Sequence, residues 1–225
     1  VEIPVVFLHA GSGNSRMWEH QAAAFTEAGY RFIAQERRGE GTAADELEAL
    51  VVRLGLERFH LVGTAAGGIV AVDYALSFAQ RLRSLVIANS IVGVQDEEYL
   101  ALSRRLRPSP QFDALPADVR ELGPSYRAAN PEGTRRWNAL AHAGPPVPLQ
   151  PRRNHITFAS LETIEAPTLL LTGDADLYTP PPVLRLFAAR IRHCESTILP
   201  ECGHSAFWEQ AELFNRTVLE FIKKH

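Results

Sequence analysis

The sequence predicts an α/β fold: a doubly wound, mostly parallel sheet with helices on both faces. Three observations point there. Six short apolar runs are spaced along the chain and alternate with segments of helical length. Most of those runs are continuously apolar, the pattern of parallel strands buried on both faces. One of them, Phe59-His60-Leu61-Val62, ends in the small-residue run Gly63-Thr64-Ala65-Ala66-Gly67-Gly68 and is followed by a helix-like segment, Ile69 to Leu76. Alternation of this kind describes parallel strands joined by helical crossovers.

In chain order, the strand candidates are Pro4–His9, Arg31–Gln35, Arg58–Gly63, Ser84–Asn89, Thr168–Gly173 and Glu195–Leu199. Helices are expected between and after them at Met17–Ala28, Ala43–Leu54, Gly67–Ser77, Pro182–Ile191 and Ala206–Lys223. Thr42-Ala43-Ala44-Asp45 opens the second helix with an N-cap residue and an acidic residue three positions on. The stretch 93–154 breaks the alternation: nine of the 15 prolines fall there, and it offers no convincing strand. Asp96–Leu106 and Glu132–Ala143 read as helices within it. It is expected to be a helical insertion in one structural domain spanning 1–225.

Composition narrows the function. At 225 residues, 46% hydrophobic and 22% charged, the chain has the make-up of an ordinary globular domain. A net charge of −3 gives no electrostatic case for nucleic acid or an anionic membrane. No apolar run approaches the roughly 18 residues of a membrane span. The two cysteines, Cys194 and Cys202, flank a strand candidate that would hold their Cα atoms about 20 Å apart. A disulfide needs about 7 Å or less. Two free thiols, with no signal-like segment ahead of the first strand, suit a cytoplasmic protein. Neither a His/Cys ligand cluster nor a G-x-G-x-x-G fingerprint is present, so no metal and no cofactor are expected. The expected partner is a small-molecule substrate, the chain being a monomer or homodimer.

The Gly63–Gly67 run sits in the strand–turn–helix setting of the G-x-S-x-G nucleophile elbow. Three further segments follow the same order. Val5-Val6-Phe7-Leu8-His9-Ala10-Gly11 resembles a strand and oxyanion loop, Leu169 to Asp176 resembles the strand that ends at the acid, and Glu201-Cys202-Gly203-His204-Ser205 resembles the histidine loop. Along essentially its whole length the chain resembles the α/β-hydrolase superfamily, in the order nucleophile, acid, base. The resemblance implies that fold with a helical cap at about 93–154, which closes over the site and sets substrate choice. It also implies hydrolysis of a small ester, enol-lactone or C–C bonded diketone. The sequence departs from the family pattern in three places. There is no antiparallel hairpin ahead of Pro4, Glu36 replaces the usual aspartate, and the loop that follows Glu36 is short.

The same resemblance assigns roles. The nucleophile position is Ala65, whose methyl cannot attack a carbonyl. His204 is the base and Asp176, three residues after Gly173, is the acid that orients it, while Asp174 belongs to the turn. Oxyanion donors are expected from the backbone N–H groups of Gly11 and Ala66, with Ala10 beside them. Trp18 and Trp208, which follow the oxyanion and histidine loops, are candidates to line the substrate pocket or to pack between helices. Cys202 is a poor candidate nucleophile, since the family geometry places that group on the elbow. His60 lies in a buried strand and is expected to be packed there.

Ala65 admits three readings. The chain is a hydrolase with its serine replaced by alanine and is therefore inactive. Alternatively, it works without a serine, His204 with Asp176 acting directly as a base on substrate or water, as in lyases and cofactor-free oxygenases of this fold. In the third reading it is a non-catalytic ligand-binding protein.

Overall fold

A computed structural model describes residues 2–144 and 150–225. Six parallel strands form one sheet in the order β2-β1-β3-β4-β5-β6. They are β1 (Ile3–Leu8), β2 (Tyr30–Gln35), β3 (Phe59–Thr64), β4 (Leu82–Ala88), β5 (Thr168–Gly173) and β6 (Cys194–Leu199). All six expected strands are present, each displaced by no more than a residue or two at an end.

The continuous apolar runs are explained by burial on both faces. In β1, Val6 and Leu8 join one core cluster and Val5 and Phe7 the other. Successive side chains of a strand point to opposite faces, so a strand covered on both is mostly apolar, and the polar residues it does bury are paired, as His60 is with Ser84. The first cluster packs under α2 (Ala43–Arg53), α3 (Ala66–Ser77) and α9 (Pro181–Ala188). The second packs under α1 (Glu19–Glu27), α10 (Ala206–Glu209) and α11 (Ala211–Ile222). Helix α2 starts as expected: the Thr42 hydroxyl accepts the Asp45 N–H at 3.1 Å.

Two expected helices are divided. The first opens as a 3-10 turn, Ser15–Trp18, and becomes α-helical only at Glu19. The last breaks at Gln210 (φ −124°, ψ 49°) into α10 and α11. The chain between β4 and β5 carries α4 (Glu97–Leu106), α5 (Ala117–Glu121), α6 (Pro124–Ala129), α7 (Pro131–Ala141) and α8 (Phe158–Leu161). Of these, α4 and α7 match the expected helices, whereas α5, α6 and α8 are too short to show a helical period. Residues 145–149 of the expected insertion lie outside the described residues. Among the described residues, no helix is long and apolar enough to cross a membrane.

Candidate active site

The loops that leave β1, β3, β5 and β6 converge at the carboxyl edge of the sheet, where open α/β sheets bind ligands. The β3–α3 turn is the sharpest. Ala65 has φ 49° and ψ −116°, a conformation that costs an L-residue about 1–3 kcal/mol. Its flanking glycines make the turn possible. A Cβ on Gly63 would strike the Gly67 carbonyl, and one on Gly67 would strike the Leu8 carbonyl. The turn is held by Ala65 N–H donating to Ala88 O at 3.0 Å and by the Ser90 hydroxyl donating to Ala65 O at 2.6 Å.

Beyond this turn lies a cavity of about 240 Å³ lined by Ala10, Gly11, Ala65, Ala66, Glu121, Tyr178 and His204, among others. Gly11 and Ala66 are adjacent: a Cβ built on Gly11 would touch that of Ala66 at 3.5 Å. Ala66 opens α3, so its N–H is one of the free donors at a helix N-terminus, where an anion is favoured. The Gly11 loop is fixed from behind. His9 Nδ1 meets Ala10 O at 2.7 Å, the Arg37 N–H reaches His9 Nε2 at 3.4 Å, and the Arg37 guanidinium also donates to Ala10 O at 2.9 Å. A neutral His9 carrying its proton on Nδ1 satisfies both contacts, and burial, with Arg37 nearby, holds His9 below its ordinary pKa. Glu36 braces the same region by accepting the Ser15 N–H at 2.8 Å.

Asp176 and His204 meet at the opposite wall. His204 Nδ1 stands 3.0 Å from both carboxylate oxygens. Asp176 also accepts the Tyr178 and Thr179 N–H groups at 2.7 and 2.9 Å, the Thr172 hydroxyl at 2.9 Å and the Asn89 amide at 3.0 Å. Burial opposes its charge, but His204 and these donors outweigh that and hold the carboxyl well below the usual carboxylate range. Burial likewise disfavours a charged His204, yet the carboxylates of Asp176 and Glu121 raise its pKa above the ordinary histidine value. The Tyr178 ring lies over the imidazole, centroids 4.2 Å apart. Asp174 is exposed and spends its N–H on Leu199 O, a turn role.

The structure thus brings Ala10, Gly11, Ala65, Ala66, Asp176 and His204 together. It does not bring Trp18 or Trp208 to the cavity. Trp18 is buried against Phe7 and Phe207, and Trp208 packs on His20. Aromatic area beneath a closing helix is worth more in the core than on a wet wall. Cys202 is buried, does not line the cavity, and has its thiol pKa pushed up by burial; Cys194 is also free. His60 is buried with Nδ1 2.7 Å from the Ser84 hydroxyl. Among the described residues, no group of three His, Cys, Asp or Glu could hold a metal ion.

Four contributors were not foreseen. Asn89 ends the β4 run and joins Asp176 to the histidine loop, donating to Asp176 and to Gly203 O and accepting the Ala206 N–H. Its signal was a polar residue closing an apolar strand. Tyr178, two residues beyond the predicted acid, carries none. Glu209 accepts N–H groups from Gly203, Ser205 and Gly123, which joins the histidine loop to the insertion. Glu121 enters the cavity from the end of α5, in a stretch with no periodic pattern to mark it.

The alpha/beta hydrolase family pattern matches residues 5–217. Among curated relatives, the 2-hydroxy-6-oxononadienedioate/2-hydroxy-6-oxononatrienedioate hydrolase of Burkholderia vietnamiensis is 28% identical, over 98% of this chain and 87% of its own length. A thermophilic esterase from Thermogutta terrifontis superposes with a TM-score of 0.83 at 25% identity, covering 100% of this chain and 90% of the esterase. The enol-lactonase of Burkholderia xenovorans shares the fold, with a TM-score of 0.74 at 19% identity over 99% of this chain and 92% of its own.

Proposed function

We propose, from the premise that this chain belongs to the alpha/beta hydrolase family, that its cavity binds a small acyl compound: an ester, an enol-lactone or a C–C bonded diketone. The substrate carbonyl oxygen rests on the N–H groups of Gly11 and Ala66, with the acyl carbon above Ala65 and facing His204. The inserted segment acts as the cap. The observation that carries this reading is the His204–Asp176 pair, buried and hydrogen-bonded at 3.0 Å on the far side of a cavity from the elbow. An orienting carboxylate of this kind fixes the imidazole tautomer and stabilises the imidazolium formed in acyl transfer. The named activities of the relatives, a dienedioate hydrolase and an esterase, support the same substrate range.

Ala65 closes the covalent route in this chain, because no acyl-enzyme forms on a methyl group. In this reading His204, Asp176 and the N–H groups of Gly11 and Ala66 are the groups that would serve a hydroxyl there. The test is Ala65→Ser, assayed on small esters, enol-lactones and diketones beside the parent and the Ala65→Ser/His204→Ala double variant. The serine protein should gain about 10⁴–10⁶ in rate on at least one compound, and the double variant should lose that gain. A folded Ala65→Ser protein that turns over none of the panel would overturn the reading.

A further inference from the structure

His204 is flanked by two carboxyl groups rather than one. Asp176 holds Nδ1, and Glu121 Oε2 lies 3.9 Å from Nε2, the nitrogen that faces the cavity. The Glu121 side chain is only 14% exposed, and its carboxyl makes no hydrogen bond among the described residues. Its place is built from the backbone. The Glu121 carbonyl accepts the His204 N–H at 2.9 Å, and two residues on the Gly123 N–H donates to Glu209 at 2.7 Å. The end of α5 is therefore fastened to the histidine loop, and Glu121 moves with the base.

A serine triad leaves Nε2 free to take the hydroxyl proton. Here a second acid stands beside it, over an elbow that has no hydroxyl. The groups facing Glu121 are His204 and, behind it, Asp176, with Arg120 beside it on α5 and the Tyr178 ring across the cavity. Burial is the largest influence and favours the protonated carboxyl, Asp176 acts in the same direction, and His204 and Arg120 oppose it. At 3.9 Å the two atoms are too far apart to hydrogen-bond directly, and a single oxygen can sit about 2.8 Å from both.

We propose that Glu121 is a second proton-transfer residue of the site, working with His204 on water and on the leaving oxygen in a non-covalent hydrolysis that needs no residue-65 hydroxyl. This rests on the reading that the cavity holds an ester or lactone with its carbonyl on Gly11 and Ala66. Water bonds to the acyl carbon while giving a proton to His204 Nε2. The C–O bond to the leaving group then breaks as that oxygen takes the proton of Glu121. Transfer from the imidazolium to the Glu121 carboxylate restores the pair, so one water is consumed and one acid and one alcohol or enol are released.

The experiment uses the chain as it stands, with Ala65, at high protein concentration on activated aryl esters and enol-lactones. Slow turnover is expected that depends on both residues. Glu121→Gln, close in size and shape, should lower kcat by on the order of 10²-fold. It should change KM far less, remove the high-pH fall of the rate profile and leave the thermal melt intact. Equal kcat in the parent and Glu121→Gln proteins would overturn the proposal. So would an inactive Ala65 chain beside an active Ala65→Ser protein, although that result keeps the substrate reading. Inactivity of both proteins overturns both.

Discussion

Both carboxylate oxygens of Asp176 stand 3.0 Å from Nδ1 of His204, and the aspartate side chain is wholly buried. The carboxylate also gathers two backbone N–H groups, a hydroxyl and an amide. Neutralising it therefore does two things: it removes the charge that steadies an imidazolium, and it presents an amide NH₂ to donors that need acceptors. In the Ala65→Ser protein, Asp176→Asn should lower kcat by about 10⁴-fold, as expected for an orienting aspartate. Steady-state kinetics on whichever ester that protein turns over will show it. A loss below tenfold would mean that His204 does not depend on this partner.

Gly67 tests the elbow. A methyl at this position would meet the Leu8 and His9 carbonyls, and Leu8 is hydrogen-bonded into the sheet between β2 and β3. Backbone atoms so placed cannot swing aside as a flexible side chain would. Gly67→Ala should cost about 1–3 kcal/mol in urea unfolding, with the midpoint shifted and the slope unchanged. A midpoint equal to that of the parent would show that the elbow is looser than the structure has it.

Glu209 positions the histidine loop. Its carboxylate takes N–H groups from Gly203, Ser205 and Gly123, and a glutamine offers only one acceptor oxygen for them. Burial pushes the carboxyl up to about 7, although those three donors pull the other way. A carboxyl raised in the folded state contributes stability that is fully present below its unfolded value near 4.5 and is lost as pH rises through about 7. Glu209→Gln should flatten the decline in stability between these limits. It should also cost about 1–3 kcal/mol at pH 7 and above, where the carboxylate is ionised, through the N–H left unmatched. Denaturant melts across this range read both effects, and an unaltered slope would remove Glu209 from the pH response.

His60 acts with the opposite sign. It is buried between strands, and burial, followed by Arg83, His225 and Arg58, lowers its pKa from 6.5 to about 4. The folded state thus favours the neutral ring, and the unfolded chain binds the proton first as pH falls. The stability it contributes is fully present above 6.5 and lost as pH drops through about 4, up to roughly 3 kcal/mol. His60→Gln should melt with a shallower loss of stability between pH 6.5 and 4. A His60→Gln protein that loses stability between pH 6.5 and 4 as steeply as the parent, in which Glu209 acts equally, would contradict this.

The strands were legible in the sequence because a parallel strand covered on both faces is apolar at most positions, which is a local and nearly continuous signal. Val5 to Leu8 and Leu169 to Leu171 satisfy both core clusters by alternation alone. The elbow was legible because Gly63 and Gly67 answer a steric demand within five residues. Asp176 and His204 were named because each follows its strand in family order, although the 27 residues between them say nothing of a 3.0 Å contact.

What only the tertiary structure decided lies where distant segments meet. Glu121 sits beside His204 because an insertion with no period of its own folds back, its carbonyl accepting an N–H from 83 positions later in the chain. Asn89 binds Asp176 across 87 residues, and Glu209 reaches Gly123 across 86. Trp18 and Trp208 were candidates for the cavity wall as well as for helix packing, until packing turned both into the core between α1 and the closing helices. A strand's burial is written in its own residues. A cavity's lining depends on which loops the sheet order sets side by side, and that is a property of the assembled fold.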